Sequence, residues 1–334
     1  MYLDFYGLRE QPFGATPDPR FLYLTAAHRE ALAQLLYGVQ QNKGFLVLTG
    51  EVGTGKTTLL HALLQRLDPK TAVAFILNST MAFDGLLEYM LEDFGIPSPG
   101  QTRARRLFAL NRFLIDRHRE GQSAVLIVDE AQNLSPATLE QVRLLSNFET
   151  PAGKLLQIVL VGQPELRDKL ARPELRQLKQ RIGLRSMIRS LDHDETRDYI
   201  RNRLRVAGAP DTRIFTDAAV SAIAQYTGGT PRLINLVCDH CLLMGYAEQT
   251  RRVEKAAVEQ AIAYLEEGAA PSHPSVAQRR SRSSRRWALG GVGAVAAAGC
   301  LVLVSGMTDF ENLLTLLLAH VVNIARGARD LVMR

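Results

Sequence analysis

The segment from Gly50 to Thr58, called the phosphate loop below, has the residue types and spacing of a loop that binds phosphate. The apolar run FLVLT precedes it at 45–49, and the helical pattern TTLLHALLQRL follows from Thr57. Three glycines allow a tight turn that aims backbone amides at phosphate oxygens, beside the positive end of the next helix. In this pattern the lysine contacts the β- and γ-phosphates, and the next hydroxyl ligates Mg²⁺. The predicted nucleotide contacts are Gly50, Glu51, Val52, Gly53, Thr54, Gly55, Lys56, Thr57 and Thr58; Lys56 is also predicted to be catalytic and Thr57 to be a Mg²⁺ ligand.

A second chemical feature is the acidic pair Asp129 and Glu130, which follows the apolar run AVLIV. Strand ends of a parallel sheet meet at one edge, so this pair is expected beside the phosphate loop. We predict that Asp129 holds Mg²⁺ through a water and that Glu130 polarises an attacking water. Two acids after a strand would, by themselves, fit an ordinary solvated loop equally well. The phosphate loop upstream favours the hydrolytic interpretation.

Three more polar side chains are candidates for the same site. Gln163 follows the apolar run QIVLVG, where it could sense the γ-phosphate, or simply begin a turn. Arg181, or alternatively Arg176, could reach a neighbouring subunit's nucleotide and stabilise transition-state charge, or could cap a helix end. Arg232 lies in the first turn of a predicted helix, where a cation opposes the helix dipole, so an anion such as the nucleotide phosphate is its expected partner.

The candidate residues follow apolar runs that are typical of buried strands, and helical patterns lie between these runs. This alternation predicts an α/β fold. Such alternation is typical of a parallel sheet with right-handed crossovers and helices on both faces. From 192 onward strand patterns stop, and four helical patterns predict a small all-α region. The aromatic segment 1–25 is predicted to be irregular and packed. The predicted strands are 45–49, 72–78, 124–130, 157–162 and 185–191.

The distribution of charge argues against a DNA-binding body. The formal net charge is +6, but residues 1–268 hold 32 basic and 31 acidic residues, whereas 269–334 hold eight and three. A DNA-binding domain usually carries its basic face on the folded part. Nucleic acid is therefore an unlikely partner, although action on nucleic acid stays an alternative function.

The run from Ala288 to Met307 holds 20 residues without a charge, enough for a helix of about 30 Å that matches a bilayer core. Five arginines precede the run and two acids follow it, which predicts a single membrane helix with the main body in the cytoplasm. A buried Gly/Ala-rich helix is the alternative. Only 27 residues follow Met307, and we expect them to lie at the outer interface as an amphipathic tail or to re-enter the membrane.

Taken in order, the motifs resemble those of the AAA+ ATPases, within the ExeA/GspA-like family. The resembling segments are the opening MYLDFYGLREQPFGATPDPRFLYLTAAHREALAQLLYGV, then TGEVGTGKTTLL, LIVDEAQNLS, LQIVLVGQPELR and GGTPRLIN. The resemblance covers about residues 1–267. It implies a P-loop domain with strand order 5-1-4-3-2, a helical lid, and ATP bound with Mg²⁺ between subunits of a homo-oligomeric ring. It also implies that Gln163 and Arg232 sense the nucleotide and that the aromatic N-terminus closes over the adenine.

The resulting domain prediction has five parts: the nucleotide-binding domain 1–191, the lid 192–268, an Arg-rich linker 269–286, the membrane helix 287–307 and the tail 308–334. Larger members carry a peptidoglycan-binding domain beyond the membrane, which we do not expect after so short a tail. The predicted membrane helix indicates an ATPase anchored in the bacterial inner membrane and in contact with lipid. The resemblance implies a partner that belongs to a cell-envelope secretion, export or pilus system. A nucleotide-gated scaffold with negligible turnover is a further alternative.

Overall fold

The computed structural model describes residues 1–14, 18–77, 80–97, 100, 102–151 and 153–267. These residues belong to one structural unit, Met1–Ser272. Among them, no helix combines the length and the apolar character needed to cross a bilayer. The predicted linker, membrane helix and tail, 269–334, lie outside the described residues.

Five strands form one parallel sheet, as the sequence predicts. In spatial order the strands are those at 72–76, 124–128, 156–162, 45–50 and 182–188, which is the order 5-1-4-3-2 implied by the family resemblance. The last strand begins three residues earlier than predicted because Ile182 already pairs with Phe45 of the first strand. The strands are β1 (Phe45–Gly50), β2 (Ala72–Ile76), β3 (Ala124–Val128), β4 (Leu156–Gly162) and β5 (Ile182–Ile188). A two-stranded hairpin, Glu149–Thr150 with Gly153–Lys154, was not predicted.

The register of the sheet brings the predicted chemical residues to one edge. Thr49 pairs with Gly162, Gly50 pairs with Ile188, and Val128 pairs with Leu160. The phosphate loop, the acidic pair and Gln163 each follow one of these three adjacent strand ends. Residues far apart in the sequence therefore meet at the carboxyl edge of the sheet.

Successive residues along a strand pack alternately into two separate apolar cores, one on each face of the sheet. Phe45 and Val47 face a core shared with the five α-helices described between 83 and 181. Leu46 and Leu48 face the two helices at 26–40 and 56–64. This period of two is the pleat of a strand buried on both sides, and it explains the continuous apolar runs. The helices on the sheet are α2 (Ala26–Gln40), α3 (Lys56–Leu64), α4 (Phe83–Asp93), α5 (Arg103–Arg119), α6 (Pro136–Leu145), α7 (Pro164–Leu170) and α8 (Arg176–Arg181).

Four helices after the sheet form a third core, called the helical bundle below. They are α9 (His193–Val206), α10 (Asp217–Thr227), α11 (Pro231–Ala247) and α12 (Lys255–Glu267). The aromatic N-terminal segment packs into this same core through Tyr6, Phe13 and Phe21. It is not wholly irregular, because Tyr2–Tyr6 form a short helix, α1. The Tyr2 hydroxyl donates to Asp239 at 2.7 Å, and the Tyr6 hydroxyl donates to the Thr250 carbonyl at 3.1 Å.

Five helices in the described part of the chain begin directly after a residue whose side chain caps the first turn. A hydroxyl or carboxylate oxygen just before the helix accepts a backbone N–H of the first turn, which stabilises a helix by about 1 kcal/mol. At α9 the Glu195 side chain also accepts from the Asp192 amide, completing a reciprocal capping box. The capping residues are Thr25, Thr102, Ser135, Asp192 and Thr216.

Candidate nucleotide-binding site

The phosphate loop runs from the end of β1 to the start of α3. Gly53 and Gly55 have positive φ angles of 77° and 96°, a region that favours glycine. The Lys56 ammonium group donates to the carbonyls of Gly50 at 2.8 Å and Glu51 at 2.9 Å, so the side chain folds back over the loop. Burial lowers the pKa of Lys56, while the nearby carboxylates of Glu130 and Asp129 act in the opposite direction. The loop thus holds a buried cation beside the amide-rich start of a helix, an arrangement that suits phosphate.

Asp129 lies beside the phosphate loop, at the end of β3. Its amide donates to the Ile76 carbonyl at 2.9 Å, and its Oδ1 accepts from the Glu130 amide at 2.9 Å. Its Oδ2 accepts from the Thr57 hydroxyl at 3.4 Å, which is long for such a bond. Burial raises the pKa of the Asp129 carboxyl.

The Thr57 hydroxyl and the Asp129 carboxylate fit a Mg²⁺ site of limited protein coordination. Mg²⁺ prefers hard oxygen ligands and usually takes only one or two from protein, completing its shell with waters and substrate phosphates. The described residues hold no cluster of three or more His, Cys, Asp or Glu side chains that could bind a metal by themselves. The donor set is therefore suited to Mg²⁺ that arrives with a nucleotide.

Glu130 has a left-handed backbone, with φ of 51°, which costs a non-glycine residue about 1 kcal/mol. Its Oε2 accepts from the Gln132 side-chain amide at 2.5 Å and from the Gln163 side-chain amide at 3.1 Å. Burial by itself would raise the pKa of Glu130, but these two hydrogen bonds and the Lys56 charge outweigh it and lower the pKa. The carboxylate is therefore ionised and oriented at neutral pH.

Arg232 reaches the site through its backbone, because the start of α11 lies against the phosphate loop. The Arg232 amide donates to the Gly53 carbonyl at 3.3 Å. A Cβ on Gly53 would lie only 2.8 Å from the Arg232 Cβ, so the two backbones approach as closely as glycine allows. The Arg232 side chain itself is exposed.

A pocket opens beside the phosphate loop, between the N-terminal segment and the helical bundle. Residues that line it include Tyr23, His28, Gly55, Tyr199, Arg203 and Pro231. One wall therefore comes from the predicted closing segment, one from the loop and one from the bundle. The pocket has a volume of about 70 Å³, and its lining mixes aromatic, polar and charged side chains next to the phosphate loop.

Comparisons with known proteins decide the family. Residues 39–170 match the family model described as "AAA domain". The chain is 46% identical over 254 residues to General secretion pathway protein A of Aeromonas hydrophila, an alignment that covers 76% of this chain and 46% of that protein. The chain belongs to the ExeA/GspA-like AAA ATPases. It spans about half the length of this curated relative.

Solved structures show the same fold for this AAA ATPase. The Aeropyrum pernix ORC2 protein has a TM-score of 0.57 at 16% identity, covering 79% of this chain and 73% of that one. Drosophila ORC bound to DNA has a TM-score of 0.59 at 19% identity, covering 80% of this chain and 66% of that one. At such low identity the likeness shows the fold alone.

In this AAA ATPase the chain does not bring Arg181 to its own phosphate loop. The Arg181 guanidinium donates to Ser146 Oγ at 2.5 Å and to Asn147 Oδ1 at 2.6 Å. The following residue, Ile182, pairs with Phe45 at the amino edge of the sheet, whereas the phosphate loop follows the carboxyl edge. Arg181 would therefore have to act on the nucleotide of another subunit. Arg176, at the start of α8, is exposed.

Sequence reasoning missed His28 and Arg203. The ring of His28 is buried, with Nδ1 2.7 Å from Thr25 Oγ1 and Nε2 3.1 Å from the Thr54 carbonyl, so it ties the loop to α2. Arg203 donates through Nε to the Pro12 carbonyl, and its guanidinium lies 4.7 Å from the centre of the Phe21 ring. Each lies on a helix whose pattern predicts an ordinary amphipathic element, and the partners Thr54 and Pro12 come from distant segments. A pattern within one helix therefore gives no signal for either residue.

Sequence reasoning also missed Gln132. It lies two residues after Glu130, in the short 3₁₀ turn Ala131–Asn133. Its side-chain Oε1 accepts from the Gln163 amide at 3.1 Å, and its Nε2 donates to Glu130. Its position two residues after the acidic pair was the available signal.

Proposed function

We propose that this chain hydrolyses ATP at the carboxyl edge of the sheet, with Mg²⁺ bound alongside the nucleotide. The observation that supports this most strongly is the convergence of Lys56, Thr57, Asp129 and Glu130 at one edge. Each of these side chains has the type and position that γ-phosphate hydrolysis requires.

In the proposed reaction, backbone amides of the phosphate loop and the Lys56 ammonium group hold the β- and γ-phosphates. Thr57 and Asp129 would hold Mg²⁺, which when bound neutralises charge on the phosphate oxygens. Glu130 orients a water for in-line attack and accepts a proton from it as the new oxygen–phosphorus bond forms. The bond between the γ-phosphorus and the β–γ bridging oxygen breaks in the same step, so that ADP and phosphate leave. The Gln163 side chain donates a hydrogen bond to Glu130. In this proposal it also contacts the attacking water next to the γ-phosphate. No covalent enzyme intermediate is needed.

The chemical part of the proposal is tested by measuring phosphate release from ATP with full-length protein. We expect turnover that needs Mg²⁺ and that falls at least about a hundredfold in Asp129→Ala, because a buried metal ligand is lost. Asp68→Ala, at an exposed acid four residues before the start of β2 and therefore at the amino edge of the sheet, is the matched control. Equal turnover in EDTA, or in Asp129→Ala, would reject the proposed chemistry.

We further propose that a ring of subunits uses this reaction to drive or regulate assembly of a cell-envelope secretion, export or pilus system. The support is the name of the Aeromonas relative and the sequence pattern. In this proposal Arg181 completes the site of a neighbouring subunit, Arg232 senses the nucleotide from the bundle, and the segment 287–307 anchors the chain in the inner membrane. That segment lies outside the described residues.

The anchor is tested by separating cells into membrane and soluble fractions. Full-length protein should stay with the membrane after a high-salt wash. Ala298→Arg places a charge near the middle of the apolar run, costing about 2.5–3.5 kcal/mol on an insertion scale, and should shift protein to the soluble fraction. Ala270→Arg, in the linker, should leave the distribution unchanged. Soluble wild-type protein would contradict the anchor but would leave the ATPase proposal standing.

A further inference from the structure

Gln132 bridges two strand ends at the centre of the site. From its contacts we infer that Gln132 is a positioning residue: it holds the Glu130 carboxylate in the orientation for water activation and links it to the Gln163 strand end. The inference rests on the proposed hydrolysis and adds a residue to that same site. No motif residue predicted from the sequence has this role.

The two ends of the Gln132 carboxamide make two different hydrogen bonds. Its Nε2 donates to Glu130 Oε2 at 2.5 Å, and its Oε1 accepts from the Gln163 backbone amide at 3.1 Å. A carboxamide is a planar group with a donor and an acceptor on the same carbon, so it can make both bonds at once. A carboxylate would keep only the acceptor, and a hydrocarbon would keep neither.

The neighbouring strand is shaped to admit this side chain. A Cβ on Gly162, the last residue of β4, would lie 2.6 Å from Gln132 Oε1 and 3.0 Å from a Leu166 methyl. Any larger residue at 162 would therefore push the carboxamide away from the Gln163 amide. The absence of a side chain at Gly162 opens the place that Gln132 fills.

The backbone of the 3₁₀ turn is also fixed from the other side. The Lys169 ammonium group, on α7, donates to the Gln132 carbonyl and, at 2.8 Å, to the Leu134 carbonyl. The α7 helix begins directly after Gln163. One short segment, from Gln163 to Lys169, therefore holds both the backbone and the side chain of Gln132.

This arrangement explains how Glu130 keeps a fixed orientation in spite of its left-handed backbone. Two amide N–H groups, from Gln132 and Gln163, converge on one carboxylate oxygen. Converging donors restrict rotation of the carboxylate and favour its charged form. Movement at the Gln163 strand end would be carried to Glu130 through Gln132. The described hydrogen bonds of Gln132 join it to Glu130, Gln163 and Lys169, so we expect it to affect hydrolysis and not ATP affinity.

The inference is tested with Gln132→Met, which keeps the length of the side chain and removes both polar ends. Full-length protein is assayed for the dissociation constant of Mg²⁺-ATP and for the single-turnover hydrolysis rate. We expect a rate about 10- to 100-fold lower, with the dissociation constant changed less than twofold. Gln132→Glu should also lower the single-turnover hydrolysis rate, and this variant replaces Gln132→Met in the test if the methionine variant does not fold. Gln40→Met, at an exposed end of α2, is the matched control.

A second measurement separates positioning from general structural damage. In the Glu130→Gln background, adding Gln132→Met should change the residual rate less than twofold, because Gln132 acts through Glu130. An equal 10- to 100-fold further loss there would overturn the inference, as would an unchanged rate in the single variant. If wild-type protein shows no Mg²⁺-dependent turnover at all, the proposed function itself fails, a result distinct from either outcome.

Discussion

The backbone amide of Arg232 donates a hydrogen bond to the carbonyl of Gly53 at 3.3 Å. This contact joins the first turn of α11 to the middle of the phosphate loop. The helical bundle and the loop therefore share a boundary at the place where the phosphates are expected. A change in the loop on nucleotide binding would act directly on the start of α11 through this contact, which involves only the backbone of Arg232.

Gly53→Ala should weaken both nucleotide binding and folding. The new methyl group would lie 2.8 Å from the Arg232 Cβ and 3.1 Å from the Thr230 side chain, at a residue with φ of 77°. Gly95→Ala is a close control, because its φ is 69° but nothing lies within 4 Å of the added Cβ. Both variants should lose about 1–2 kcal/mol of unfolding free energy from backbone strain. Only Gly53→Ala should also raise the dissociation constant for ATP, by about tenfold or more, in a binding titration; equal affinities would contradict the contact's importance.

Lys56→Ala should reduce nucleotide affinity about 10- to 100-fold, since a charge-assisted hydrogen bond contributes about 1.5–3 kcal/mol. The side chain is 6% exposed and its pKa is lowered by burial, so the ammonium group is already desolvated before it meets phosphate. Isothermal titration with ADP and with ATP measures the effect. Lys70→Ala removes an exposed lysine and should bind like wild type. Loss of affinity for adenosine as large as that for ATP would argue against a phosphate contact.

Mixing subunits tests whether Arg181 acts on a neighbour. Protein with Arg181→Ala has an intact phosphate loop, and protein with Lys56→Ala still carries Arg181. Each should be nearly inactive alone, but a mixture should recover part of the wild-type turnover because one subunit supplies what the other lacks. No recovery, with mixed oligomers shown to form, would reject the trans role. The same experiment with Arg176→Ala distinguishes the two candidate arginines.

The buried ring of His28 predicts a pH effect on stability. Burial lowers the pKa of His28, although the Thr54 carbonyl opposes this, so the unfolded chain takes up the proton first on acidification. The free energy of unfolding should therefore fall as the pH drops below about 6.5, by at most about 1.4 kcal/mol for each pH unit from this group. Urea unfolding of wild type and His28→Gln at pH 7.5 and 5.5 measures the difference. His118→Gln, at an exposed histidine, should retain the wild-type dependence.

Much of the sheet could be predicted from local patterns. Strands such as 124–128 are continuous apolar runs because both faces of the sheet are covered, and each predicted strand overlaps an observed one. The error at β5 has a physical reason. Its first half, Ile182 to Leu184, is only partly buried at the sheet edge and lacks an apolar run, yet it pairs with β1.

The residues of the site also fall into two groups: those whose positions depend on a short stretch of sequence, and those whose positions depend on contacts between distant segments. Motifs that lie within one strand–loop–helix, such as the phosphate loop, can be read directly because their spacing determines their geometry. The links between Gln132 and Gln163, and between His28 and Thr54, depend on how distant segments pack. The N-terminal aromatics illustrate the difference: their packing could be predicted, but Phe13 enters the core of the bundle while Tyr23 lines the pocket.

The most direct test of the account compares wild type with Glu130→Gln. Glutamine is nearly the same size as glutamate but cannot act as an anionic acceptor for the attacking water. We predict that Mg²⁺-ATP binds within about threefold of wild-type affinity, whereas the steady-state release of phosphate falls at least about a hundredfold, so that intact ATP is recovered from the protein. Turnover equal to that of wild type in Glu130→Gln would contradict the central claim that this carboxylate activates water at the edge of the sheet.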